Sequence, residues 1–180
     1  ESNTKGRARC TGIECDLAWK PSHGLVEVRA NVALSTNKIS SFMSYIDDYD
    51  QGVQIGKAYT NTDISFSPAL IGALQLSCYP LRHLVQGSTK ELSIDLMEKY
   101  VGEQYLDNTG DRSKMIDAFA NTDLIINCPL KLNNTGKLRL RAGLYNVLGS
   151  LYSSNGYTYS YRYDNQVVSQ NYYFPQAGRR

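Results

Sequence analysis

Residues 25–34 read LVEVRANVAL, and in that stretch Val26, Val28, Ala30, Val32 and Leu34 are apolar while Glu27, Arg29 and Asn31 lie between them. A period of two is the signature of a strand with one apolar and one polar face, because successive side chains on an extended chain point to opposite sides. The pattern excludes an amphipathic helix here and demands that something cover one face. It returns at Leu138, Leu140, Ala142 and Leu144, with Arg139 and Arg141 between them. SSFMSYI (40–46) and VQIGKAY (53–59) read as further strands, with turn-like residues at 35–38 and a polar turn at DDYDQG. SFSPALIGALQLSCYP is apolar and broken by Pro68, Gly72 and Pro80, so it reads as a bent strand or a lid-like loop. At 153–156 SSNG reads as an Asn-Gly hairpin turn. YTYSYRY then places Tyr157, Tyr159, Tyr161 and Tyr163 on one face, DNQ turns again, and VVSQNYYF is a last strand.

Between these strands the period changes. Ser88 with Glu91 three residues on resembles a capping box, and Leu92, Leu96, Met97, Tyr100 and Val101 then fall at helical spacing. A second short helix is expected at DRSKMIDAFA (111–120). The expectation is one domain over 1–180: a mainly β, two-sheet antiparallel sandwich of the immunoglobulin-like type. A helical insertion sits around 88–120, within residues 79–125, between Cys78 and Cys128.

At 180 residues the chain is long enough for one sizeable core. A net charge of +2 argues against a nucleic-acid partner, and no apolar run is long enough for a membrane-spanning helix. The chain opens at Glu1 in a polar stretch, so any secretory leader is expected to have been removed already.

The four cysteines, Cys10, Cys15, Cys78 and Cys128, lack the paired short spacings of a zinc site and the C-x-x-C of a redox pair. They leave disulfides in an oxidising compartment, with Cys10–Cys15 and Cys78–Cys128 the expected pairing among three connectivities, or free buried thiols. His23 and His83 are isolated. No nucleophile elbow or H-E-x-x-H occurs, so no enzyme activity, metal or cofactor is expected. Asp47, Asp48 and Asp50 lack a calcium-loop spacing and read as turn residues. Asn133 opens an N-x-[ST] glycosylation sequon.

CTGIECDL followed by GLVEVRANVALSTN, and INCPLK at 126–131, together resemble the ML family of lipid-recognition proteins, in the branch of ganglioside activators and sterol carriers. Those motifs stand here in the family's order, with residues 79–125 in the place of a partly helical insertion. The further disulfide that ties the first segment to the last strand in the family's sterol carrier has no counterpart here, since VVSQNYYF holds no cysteine. The resemblance implies a secreted or endolysosomal lipid-binding or lipid-transfer protein holding a hydrophobic ligand between two sheets. Val28, Ala30, Val32, Phe42, Leu70, Leu74, Leu96 and Leu140 would line that cavity, and the helices, hinged at Gly87, Gly102 and Gly110, would act as a lid. Its partners would be a lipid or other hydrophobic small molecule, with a membrane surface or protein receptor as further candidates. The alternative expectation is a secreted β-sandwich acting by protein contact, as an adhesin, pilus subunit or pathogen effector, with the tyrosine face carrying recognition.

Overall fold

The computed structural model describes residues 7–132 and 136–180. Eleven strands form in chain order: β1 (Ala8–Trp19), β2 (Val26–Asp48), β3 (Val53–Asp63), β4 (Leu70–Cys78), β5 (Ser93–Val101), β6 (Gln104–Tyr105), β7 (Met115–Ile116), β8 (Phe119–Leu132), β9 (Gly136–Leu144), β10 (Ser153–Tyr163) and β11 (Gln166–Pro175). Nine belong to one mixed sheet that curls into a half-barrel, and β6 and β7 form a separate two-stranded ladder.

The wall of this sheet is an antiparallel meander, β1-β2-β4-β5-β8-β9. β2 is 23 residues long. Its first half pairs with β1 and β4, and its second half runs beyond them to pair with β3. At Asp47 and Asp48 it also meets β10 in a short parallel pairing. The stretch 35–38, expected as a turn, is therefore continuous strand.

The expected helical insertion does not form. Among the described residues the one helical element is a 3-10 turn at Ser88–Glu91, with Gly87 at its N-cap and no side-chain cap. Leu92, Leu96 and Val101 mimic a helical period, but the residues between Leu92 and Val101 also alternate, and pairing with β4 on one side and β8 on the other selects the strand. Nor do two sheets face each other as in the expected sandwich: the apolar alternations lie side by side in one curled sheet.

Side chains level with each other across the ladders share a face. On one face stand Leu17, Ala30, Leu74 and, farther along, Ile94, Ile126 and Ala142. On the other stand Glu27, Ser77 and Asp95 in one row and Asp16, Asn31, Ala73, Lys99 and Asn121 in another. Burial reverses the usual order of a water-soluble protein. Glu27, Ser77, Ser93 and Asp95 on the second face are buried, whereas Ile13 is 73%, Leu17 58%, Leu34 54% and Leu140 51% exposed on the first. The second face is the concave one: Asp16, Arg29, Asn31, Gln75, Lys99 and Asp123 line a hollow of about 630 Å³ against it.

A small packed core sits at one end. Five apolar side chains are buried among the described residues: Ile39, Val101, Leu106, Ile116 and Ile125. Four of them lie where β2, the end of β5 and the β6–β7 ladder meet. That core is far too small to account for the apolar content of the chain, most of which is on the convex face.

Candidate functional site

The two ends of the meander differ. At one end the connections are 20–25, 79–92 and the link between Leu132 and Gly136. At the other end lie the long excursions: the second half of β2 with β3, the 102–118 segment carrying β6 and β7, and the β10–β11 hairpin after β9. All three leave from the edge marked by the Leu34–Leu70 and Val101–Phe119 pairs, so the topology gathers them together.

Polar chemistry ties them into one unit. The turn between β2 and β3 begins with Asp48, whose carboxylate accepts the backbone N–H groups of Asp50 (2.9 Å) and Gln51 (3.3 Å). The same carboxylate, 1% exposed, meets Arg162 at 3.4 Å. Asp50 accepts the N–H groups of Asp164 and Asn165, each at 2.9 Å. Those two residues have φ of 50° and 58°, the paired positive values of the tight hairpin turn between β10 and β11. The backbone donors of Asn165 and Asp164 hold the Asp50 carboxyl below its ordinary value; desolvation opposes them, and Arg162 adds a lesser lowering. The three aspartates thus act in turns and latches. The Asn155-Gly156 pair, expected as the turn, lies inside β10, where the register with β11 slips between Ser153 and Asn155.

Tyr49 and Tyr159 share a hydroxyl–hydroxyl hydrogen bond of 2.6 Å, and Tyr159 also donates to Asp47 at 3.2 Å. These bonds, first the one to Tyr49, then burial and the bond to the carboxylate, push the Tyr159 hydroxyl far above the usual tyrosine range. On the other side of the hairpin, Asn171 donates to the Ser113 carbonyl at 2.7 Å and Tyr173 to the Met115 carbonyl at 3.0 Å. Within the 102–118 segment, Lys114 is buried and bonds Asp107 at 2.9 Å. Between the hairpins and this segment is a cavity of about 670 Å³, lined among others by Tyr45, Lys57, Tyr59, Asp107, Lys114 and Tyr159. Its tyrosines and balanced charges suit a polar ligand that also has flat or apolar surface. Of these residues the sequence pattern flags Tyr159 and the Asp47–Asp50 group. The Asp48–Arg162 pair and the Lys114–Asp107 pair carry no local signal, because their partners meet only through the topology.

At the opposite end, Arg82 reaches from the 79–92 loop to the concave face. It donates to the Gly24 carbonyl (2.6 Å) and to Glu27 (2.8 Å), and stacks on the Tyr79 ring at 3.8 Å.

The residues expected to line a ligand cavity are spread over the convex face. Val28, Ala30, Val32, Leu70, Leu74, Leu96 and Leu140 occupy it on β2, β4, β5 and β9, with no second sheet opposite. Phe42 stands apart, in the second half of β2, stacked on Tyr59 at 5.4 Å.

The expected disulfides are absent: Cys10, Cys15, Cys78 and Cys128 are all free. Cys10 and Cys15 lie on one extended strand, about 16 Å apart at the usual rise and on opposite faces. Cys78 is level with Ile94 and Ile126, so Cys128 is two strands and two residues away, about 12 Å. A disulfide needs its Cα atoms within about 7 Å. The oxidising compartment inferred from cysteine count loses its basis with them, as do the secreted-carrier terms built on it. The sequon at Asn133 lies outside the described residues. No group of metal-ligating side chains occurs among the described residues.

A curled antiparallel wall with long hairpins gathered at one end and apolar side chains on the convex face has the form of a section of β-barrel wall. Among solved structures the chain is similar to the siderophore receptor PiuA from Acinetobacter baumannii, with a TM-score of 0.68 at 13% identity. The match covers 97% of this chain and 21% of that receptor, so the chain spans about a fifth of the receptor's length. At that identity the likeness is one of fold. No family model matches the chain, and no curated protein matches it.

Proposed function

We propose that this chain forms part of the wall and mouth of an outer-membrane-type β-barrel receptor. The convex face meets lipid, the concave face borders a polar lumen, and the three long excursions form the ligand-facing mouth. The observation that carries this reading is the inversion of the two faces: carboxylates buried on the concave side, leucines exposed on the convex one. Barrels in membranes alternate apolar-out and polar-in along each strand. No helix among the described residues is long and apolar enough to cross a membrane, which says nothing about strands.

The slant of the apolar face supports the same reading. On β1 the outward apolar run, Ile13 to Trp19, is level with Leu34 to Val28. On β9 it starts at Leu144, level with Leu124, with Leu96 and so with Val28, and continues away to Leu138. The band thus slips by about six residues over five strand-to-strand steps. At about 3.3 Å per residue and 4.8 Å per strand the lean is roughly 40°, inside the range of about 35–45° for membrane barrels. A nine-residue strand leaning by that much spans roughly 23 Å, close to the apolar band of about 25 Å that such barrels present. A packed sandwich gives no reason for its apolar positions to drift this way.

Following the receptor it resembles, the ligand proposed for the mouth is a siderophore or a polar solute of similar size. The cavity of about 670 Å³ falls within the usual range for such ligands.

The native cysteines test the topology. Cys15 and Cys128 lie mid-band on the convex face, and Cys10 lies on the concave side near the mouth. In membranes from cells making the protein, a charged, membrane-impermeant maleimide should label Cys10 and spare Cys15 and Cys128 until the protein is denatured. Equal labelling of all three would refute the proposal. So would purification as a water-soluble particle with an extractable lipid.

A further inference from the structure

The charges lining the cavity between the hairpins and the 102–118 segment balance in number but not in what they have left to offer. The carboxylates are committed within the protein. Asp47 accepts from the Gln54 side chain at 3.0 Å on one oxygen and from Tyr159 at 3.2 Å on the other. Asp107 accepts from the Thr109 backbone and hydroxyl on one oxygen and from Lys114 on the other. Asp111 accepts from the Ser113 N–H at 2.9 Å and from its hydroxyl at 2.8 Å. Arg162 is likewise taken up, by Asp48 at 3.4 Å and by the Asn165 side chain at 3.0 Å.

Two ammonium groups on the same wall are not. The Lys114 side chain is 7% exposed, and among the described residues its ammonium bonds Asp107 alone. An ammonium carries three donors, and buried donors left without an acceptor are costly. Lys57 forms no ion pair among the described residues. Its ammonium lies over the Tyr59 ring at 5.1 Å, and that ring is stacked on Phe42 with 16° between the planes. The ring face attracts the cation, so Tyr59, itself held by Phe42, positions Lys57. The Ser113 backbone and hydroxyl donors hold the Asp111 carboxyl below its ordinary value; desolvation opposes them, and Lys114 and Lys57 each add a lesser lowering. Both ammonium groups therefore lie within electrostatic reach of one point on the wall. The Thr158 hydroxyl oxygen, on the same wall, is buried without a partner.

We infer that this cavity takes an oxyanion-bearing solute, whose carboxylate or phosphate group meets Lys57 and Lys114. What the wall has uncommitted is mainly donors, and an oxyanion supplies several acceptor sites at one place. A cationic solute would have to compete for carboxylates that already hold their own turns. The site lies in the mouth proposed above and so rests on that reading, to which it adds the charge of the ligand and the groups that meet it.

The test uses the full chain purified from its native membrane in detergent, titrated with citrate, inorganic phosphate and sucrose by isothermal calorimetry. Citrate or phosphate should bind saturably, and more weakly as salt is raised, while sucrose should not bind. Citrate alone identifies a carboxylate ligand, phosphate alone a phosphorylated one. Lys57→Gln should weaken the bound anion by about 10- to 100-fold, the worth of one charge-assisted hydrogen bond, with the urea midpoint unchanged. Tyr59→Leu should weaken it too, and Tyr59→Phe, which keeps the ring, should not. Asp111→Asn should tighten it by removing a competing carboxylate, a gain that a merely structural role would not give. All four variants leave the buried Lys114–Asp107 pair in place. Binding of neither anion, equal binding of sucrose, or an unchanged affinity in Lys57→Gln would overturn the proposal. The maleimide pattern is read separately: a protein that shields Cys15 and Cys128 but binds neither anion keeps the barrel wall and loses this site.

Discussion

Arginine placed at Ala30 and at Asn31 separates the two faces of the sheet with one-residue resolution. Ala30 is level with Leu17 on β1 and Leu74 on β4, in the middle of the outward run from Val26 to Leu34. A guanidinium there would lie in the apolar band, where an arginine at mid-depth costs about 2–4 kcal/mol. That is a shift of roughly 30- to 1,000-fold in the folding equilibrium. Asn31 is level with Asp16 and Ala73 on the concave face, so Asn31→Arg gains an acidic neighbour and should stay within about 0.5 kcal/mol of the natural protein. The assay is urea unfolding of protein folded into phospholipid vesicles, read by the fluorescence of Trp19, the single tryptophan. Ala30→Phe is the internal control. Within a packed sandwich it would cost about 1–3 kcal/mol by overpacking, whereas against lipid it should be tolerated. The reasoning fails if Ala30→Arg is as stable as the natural protein, or if Asn31→Arg loses as much as Ala30→Arg.

Further consequences concern the polar latches and the tight hairpin. Gly156→Ala would set a Cβ 2.5 Å from the Tyr172 carbonyl oxygen and 3.0 Å from Leu106, so the β10–β11 hairpin should lose about 1–3 kcal/mol, seen as early melting of that hairpin by hydrogen exchange. Arg82→Met leaves the buried Glu27 without its closest cation and should cost about 2–4 kcal/mol in urea, much of it recovered when Glu27→Gln is added; strictly additive losses would show that the pair is not coupled. The Asp50 carboxyl is held below its ordinary value of 3.8. Its latch on the β10–β11 turn is therefore complete above pH 3.8 and is lost as the pH falls through the lower folded value. The amide resonances of Asp164 and Asn165 should move together below pH 3.8 and stay fixed in Asp50→Asn, and a midpoint above 3.8 would refute the hydrogen-bonded latch.

The sequence by itself determined the strands and their faces. Val26–Leu34 and Leu138–Leu144 alternate because an extended chain turns successive side chains to opposite sides, and that holds whatever the strand packs against. It did not determine what lies beyond the apolar face. A run such as Val28, Ala30, Val32 reads the same against a second sheet as against lipid, since both are dry and apolar, and only the curl of the sheet showed that the carboxylates are on the inside. The residues 92–101 satisfy a helical and an extended period at once, and their choice was made by the hydrogen-bonding edges of β4 and β8, which lie 15 or more residues away along the chain. Cysteine count suggested staples, but spacing along a chain is not distance in space: rigid strands of fixed rise hold Cys10 from Cys15 and Cys78 from Cys128. The polar junction of the long excursions is the most tertiary feature of all. Asp48 and Arg162 are 114 residues apart, and they meet because a 23-residue strand overshoots its neighbours and a hairpin from the far end of the chain folds back onto it.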